Sequence, residues 1–160
     1  WYQKLTCSSC YPTAIAESSH SSSYLYFASL EGSEMKIRHF DDSGQEYWTA
    51  SLTTAYQVKG MLADGTQVVI VSEYPSTQDM LVTVLGGLNS ADHTTAPSSQ
   101  LNYKVGSSDS LQMEVRDTWL SGTNLFVMVH LSTESKLIKV DLGGPTQYII
   151  NIPSSAGSNF

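Results

Sequence analysis

Two cysteines at C-x-x-C spacing, Cys7 and Cys10, are the most concentrated chemistry in this sequence. Such a pair can be a redox couple, half of a zinc site, or a disulfide. A redox couple needs a strand before it, a helix after it and an alternating βαβ context. The stretch Trp1-Tyr2-Gln3-Lys4-Leu5 has strand character and residues 11–17 could open a helix, but nothing downstream alternates strand with helix. Zinc needs about four ligands. His20, His39, His93 and His130 are scattered over different elements and do not complete a set with the cysteines. The preferred reading is a structural disulfide closing a tight loop in an oxidising compartment.

The other candidates read more simply as structure. His39 sits in a mixed strand and His130 closes an apolar run, with no carboxylate or nucleophile at informative spacing. Asp41-Asp42-Ser43-Gly44 has the look of a calcium loop but lacks the alternating ligands and terminal glutamate. A tight turn with a left-handed glycine accounts for it. No G-x-S-x-G, G-x-G-x-x-G or G-x-x-x-x-G-K-[ST] occurs. No catalytic residue, metal or cofactor is expected. No asparagine opens an N-x-[ST] sequon. The Ser/Thr-rich stretches 18–23 and 94–99 could carry O-linked glycan, a solvated loop being the simpler reading.

Composition narrows the partners. Only 14% of the 160 residues are charged, and the net charge is -7. Serine and threonine fill about a quarter of the chain. No Lys/Arg cluster exists, so neither nucleic acid nor an anionic membrane face is an expected partner. No apolar run approaches the ~20 residues of a membrane-spanning helix. Hydrophobic residues make up 41%, enough for a core.

The elements that must hold these residues are strands. Tyr24–Ala28, Val68–Val71 and Leu125–Val129 are short, β-branched or aromatic, and bounded by turn residues. Each is apolar at consecutive positions, so each is expected to be buried on both faces. A mixed strand follows each: Met35–Phe40, Met80–Leu85 and Leu137–Asp141. Alternating strands, Tyr56–Leu62 and Leu111–Asp117, precede two of them, and residues 14–17 read as an edge strand.

This order repeats. Tyr2, Tyr47, Tyr103 and Tyr148 each open a strand, at spacings of 45, 56 and 45 residues. Met35, Met80 and Leu137, at spacings of 45 and 57, locate the extra length in the same place, between Met80 and Tyr103. It coincides with a polar loop at 86–99. About 45 residues and four short strands make one blade of a β-propeller. Blades pack face to face, which explains strands apolar on both faces in an antiparallel protein. The expected fold is all-β: four-stranded antiparallel blades at 12–52, 55–105 and 110–152, preceded by an outer strand of another blade at 1–6 and followed by a linker or tail at 153–160. A β-sandwich of similar strand number is the alternative. The opening strand and polar tail suggest a processed chain or a piece of a longer one.

The run from His39 to Thr49 carries an aromatic, Asp41, Gly44 and Trp48. It resembles the strand–turn–strand signature of PQQ-like and related bacterial-type propeller repeats. Blade three keeps Asp141, Gly143, Gly144 and Tyr148 without the tryptophan, and blade two has lost the motif in its loop. The resemblance implies a propeller. It does not extend to the cofactor enzymes, which look to need inward metal-binding carboxylates and adjacent cysteines. Three blades cannot close a ring, so other protein chains, or further blades of the same chain, are the expected partners. The expected function is a non-enzymatic, extracellular structural or adhesive segment, one form being a filament or surface layer. Its candidate assembly residues are Trp1, Tyr2 and Leu5 on one edge strand and Tyr148, Ile150 and Ile152 on another. Its candidate display loop carries Asn89, Asp92, His93 and Thr94. The alternatives are a ligand-binding or enzymatic propeller completed by other blades, and an intracellular protein-interaction propeller.

Overall fold

The computed structural model describes residues 10–17, 24–53, 57–73, 80–89, 94–105, 114–130, 135–144 and 147–152. Among these residues there are twelve strands and no helix. The strands β1 (Cys10–Glu17), β2 (Tyr24–Glu31), β3 (Glu34–Asp41) and β4 (Glu46–Thr53) form a first antiparallel meander. A second holds β5 (Gln57–Ala63), β6 (Gln67–Glu73), β7 (Met80–Gly86) and β8 (Ser99–Val105). The third holds β9 (Glu114–Ser121), β10 (Asn124–His130), β11 (Ser135–Asp141) and β12 (Gln147–Ile152). In each sheet the strands pair in chain order, so every connection is local.

The second sheet lies between the other two, and its side chains show why β6 is apolar throughout. Neighbouring residues of a strand point to opposite faces. Val68 and Ile70 enter a core with Tyr26, Ile37 and Trp48 of the first sheet. Val69 and Val71 enter a core with Leu125, Val127 and Ile138 of the third. All four valines and isoleucines are 0–1% exposed. Burying each such side chain contributes about 1.5–3 kcal/mol.

The sheets converge at one edge. Cα atoms of β1 come within 8 Å of β5, and those of β5 and β6 within 8 Å of β9. Side-chain size follows this wedge. Facing the second sheet, β1 carries Ala14 and Ala16, whereas β4, at the far edge, carries Trp48 and Leu52. The bulkiest side chain of this core thus stands on β4, which also carries Ala50, and small ones on β1, where the sheets come closest. Between the second and third sheets the convergence is tighter still. Gly60 of β5 faces Thr118 of β9 so closely that a Cβ there would lie 2.5 Å from the threonine hydroxyl. Nearby, the buried Glu73 carboxylate accepts a hydrogen bond from the Val115 amide and an ion pair from Lys59 at 3.2 Å. The first strand of the third sheet is thereby tied to the second.

Of the three apolar runs expected to be buried on both faces, only 68–71 is buried at every position. In β10, Leu125, Val127 and Val129 are 0% exposed, whereas Phe126 is half-buried and Met128 exposed. In β2, Tyr26 and Ala28 are buried, and Leu25 and Phe27 only half-buried. The reason is position: among the described residues, the first and third sheets each pack against a sheet on one side only. The strand expected to end at Asp117 also runs on to Ser121. Thr118, Trp119 and Leu120 continue the pairing with β10, and the chain turns only at Gly122-Thr123.

Candidate functional site

The turn between third and fourth strands repeats in detail. Asp41 Oδ1 accepts from the Ser43 amide at 2.9 Å, the Ser43 hydroxyl at 2.7 Å and the Gln45 amide at 2.9 Å. Its Oδ2 accepts from the Tyr47 hydroxyl at 3.1 Å. In the third sheet Asp141 Oδ1 accepts from the Gly143 amide at 2.9 Å. The next amides, of Gly44 and Gly144, donate to the carbonyls of Asp41 and Asp141. Gly44 has φ 86°, a left-handed conformation that glycine adopts readily, whereas Gly143 and Gly144 of the equivalent turn are not left-handed. Asp41 is thus a turn brace, both of its carboxylate oxygens accepting hydrogen bonds. Among the described residues no group of three or more His, Cys, Asp or Glu could hold a metal ion.

Asp64 braces the β5–β6 turn in the same manner, through Thr66 and Gln67. Burial pushes this carboxyl up, but the hydrogen bonds from Gln67 and Thr66 outweigh it and hold it below the usual carboxylate range. A group whose pKa is depressed by folding stabilises the fold above its unfolded pKa, near 4, and stops doing so as pH falls through the folded value. Asp64→Asn should therefore be less stable at neutral pH and lose less stability on acidification below about pH 4. Urea midpoints by circular dichroism from pH 7 to 2.5 would read this, and parallel curves for the two proteins would refute it.

His39 belongs to the core. It is 1% exposed, stacked on Tyr26 at 4.6 Å and flanked by Trp48 at 5.2 Å, Tyr24 at 5.4 Å and Tyr47 at 5.7 Å. Burial, then the Asp64 charge, push the Tyr26 phenol up to about 12. His130 lies at the exposed end of β10, with Nδ1 3.3 Å from the Ser135 hydroxyl. His20 and His93 lie outside the described residues.

Cys10 opens β1 opposite Glu31, and Cys7 lies outside the described residues, as does any bond between the two. Trp1, Tyr2, Leu5 and Asp92 lie outside them too. Tyr148, Ile150 and Ile152 stand on β12, the edge strand of the third sheet, opposite Lys139, Leu137 and Ser135 of β11. Asn89 and Thr94 are exposed on the long loop. The base of that loop is clasped, with the Ser98 amide donating to Gly86 and the Leu88 amide to Thr66.

Two surfaces went unnoticed in the sequence, and Trp119 belongs to both. Where β1, β5 and β9 end together, a groove of about 340 Å³ is lined by Glu17, Met61, Leu62, Asp64, Trp119 and Leu120. Both Asp64 oxygens are taken up by its turn, so the groove offers chiefly an indole and an apolar floor. The second surface is the uncovered face of the third sheet. There Trp119, 67% exposed, meets Phe126 at 5.8 Å beside Met128 and Leu137, around a depression of about 280 Å³. The signal in the sequence was a tryptophan at an alternating position of a strand.

The twelve strands and their fan-like stacking define the class: an all-β arc of three antiparallel four-stranded blades. No protein-family model and no curated protein matches the chain.

Proposed function

We propose that this chain is a non-enzymatic structural and adhesive propeller segment of the PQQ-like or related repeat type. It acts outside the cell, presents the loop 86–99 from a rigid scaffold, and is completed by other chains or further blades. One observation carries the reading: one face of the third sheet keeps a tryptophan, a phenylalanine, a methionine and a leucine in or near solvent. Apolar clusters of this kind mark protein contact surfaces. Among the described residues β12 is an edge strand, and a strand edge that accepts a further strand is a second route to assembly.

Size-exclusion chromatography with light scattering tests it. Particles larger than the 17.5 kDa chain are expected at micromolar concentration and above. A monomer throughout overturns the assembly. The same sample should gain about 2 Da on reduction if Cys7 and Cys10 are bonded as extracellular disulfides are. An unchanged mass removes that support for the compartment.

A further inference from the structure

The groove at the ends of β1, β5 and β9 lies beside the base of the loop 86–99. The β5–β6 turn joins the two: Asp64 lines the groove, and the Thr66 carbonyl accepts a hydrogen bond from the Leu88 amide at the base of the loop. Three features of the groove select one kind of guest. Trp119, 67% exposed, offers an indole, the best of the aromatic faces for a cation. Met61, Leu62 and Leu120 offer apolar surface. Glu17 and Asp64 bring two carboxylates, and no lysine or arginine lines the groove. The donors that hold Asp64 are neutral, so its turn occupies the oxygens without cancelling the charge. The ion pairs of Lys36, Arg38, Lys59 and Arg116 go to other carboxylates, those of Glu34, Glu31, Glu46, Glu73 and Glu114.

We propose that this groove binds an arginine side chain of a partner protein that also contacts the loop 86–99. The inference rests on the reading of that loop as one the scaffold presents, and it names the chemistry of the partner. A guanidinium is planar and weakly hydrated, so it can stack on an indole while donating hydrogen bonds in its own plane to a carboxylate. Exposed Glu17, which takes part in none of these ion pairs, is the acceptor. Asp64 contributes its charge. The methylene stem of the arginine covers the apolar surface, as long cationic side chains do. A lysine fits less well, because its ammonium is a strongly hydrated point charge with no plane to stack. A purely apolar segment fits worse still, since it would cover two carboxylates without supplying a counter-charge. The net charge of -7 draws basic partners from a distance, the more so at low salt.

Saturation-transfer NMR with the blocked tripeptide acetyl-Gly-Arg-Gly-amide tests this, because it reads the peptide and tolerates large protein particles. Saturable binding in the millimolar range is expected. The citrulline peptide has the same shape without the charge and should bind about tenfold more weakly or worse. Trp119→Leu should weaken arginine binding about tenfold and Glu17→Gln about threefold. Asp117→Asn is the control: that carboxylate lines the other surface of Trp119 and not the groove, so its loss should change affinity by less than about twofold. All three positions are exposed, and circular dichroism confirms that the variants fold. No saturable binding up to about 20 mM, equal binding of the citrulline peptide, or a larger loss from Asp117→Asn than from Glu17→Gln overturns the arginine site. Light scattering separates this from the scaffold reading, since Glu17→Gln should leave particle size unchanged. Particles larger than the monomer that bind no arginine overturn the site and leave the scaffold standing. A monomer at every concentration that binds arginine overturns the assembly and supports the site.

Discussion

Trp48→Ala should destabilise the fold by about 3–5 kcal/mol, the range for removing a buried aromatic ring from a core. Domains of this size are stable by only about 5–15 kcal/mol, so the variant should be partly unfolded on mild heating or in low denaturant. The reason is geometric. The first and second sheets come within 8 Å of each other at β1 and β5, and at β4, the opposite edge of the first sheet, large side chains occupy the space between them. Trp48 fills it, 6% exposed, at 5.9 Å from the Tyr26 ring and 5.2 Å from His39, its cross-strand partner. Neighbours on a wedge anchored at its narrow edge cannot collapse into so large a space. The control is Trp119→Ala. That ring is 67% exposed, so monomer stability should change by about 0.5 kcal/mol or less. Urea denaturation followed by far-ultraviolet circular dichroism, at concentrations below self-association, measures both. A Trp48→Ala cost near that of Trp119→Ala would mean that Trp48 does not hold the two sheets together.

That contrast also marks how far the sequence could be read. Consecutive apolar residues at 68–71 announced a strand covered on both sides, and β6 is one. The spacings of 56 residues from Tyr47 to Tyr103 and 45 from Tyr103 to Tyr148 placed all three on fourth strands, and Asp41 and Asp141 on equivalent turns. What could not be read was position within the stack. Phe126 and Met128 look as apolar as Val69 and Val71, because a strand's composition records what could cover it, not whether the cover is present. The same limit hid the patch around Trp119: its members come from three strands and meet only through register. Gly60 was illegible for another reason. A lone glycine in a strand signals a bulge or a close approach, and only the facing strand decides which.

Here both occur, since the β5–β6 pairing shifts register between Val58 and Gly60 as well. The close approach makes the stronger prediction. A methyl group at position 60 would lie 2.5 Å from Thr118 Oγ1 and 2.9 Å from Cγ2, closer than real contacts allow. Threonine is branched at Cβ, so its side chain has few rotamers in which to retreat. Gly60→Ala should therefore push β9 off β5 and cost about 1–3 kcal/mol, as overpacking does. Thr118→Ala removes both clashing atoms and leaves Cβ at 3.3 Å, a contact that a shift of a few tenths of an ångström relieves. The pair Gly60→Ala with Thr118→Ala should then recover most of the loss, giving a coupling of about 1 kcal/mol or more in a double-mutant cycle. Strand backbone entropy works the other way, because alanine restrains the unfolded chain more than glycine does. An isolated β5 would gain from the substitution, so a net loss can come only from the neighbouring sheet. Denaturation of the four proteins decides it. Additive effects would mean that β5 and β9 do not press together at this point, and the convergence of the second and third blades would lose its tightest contact.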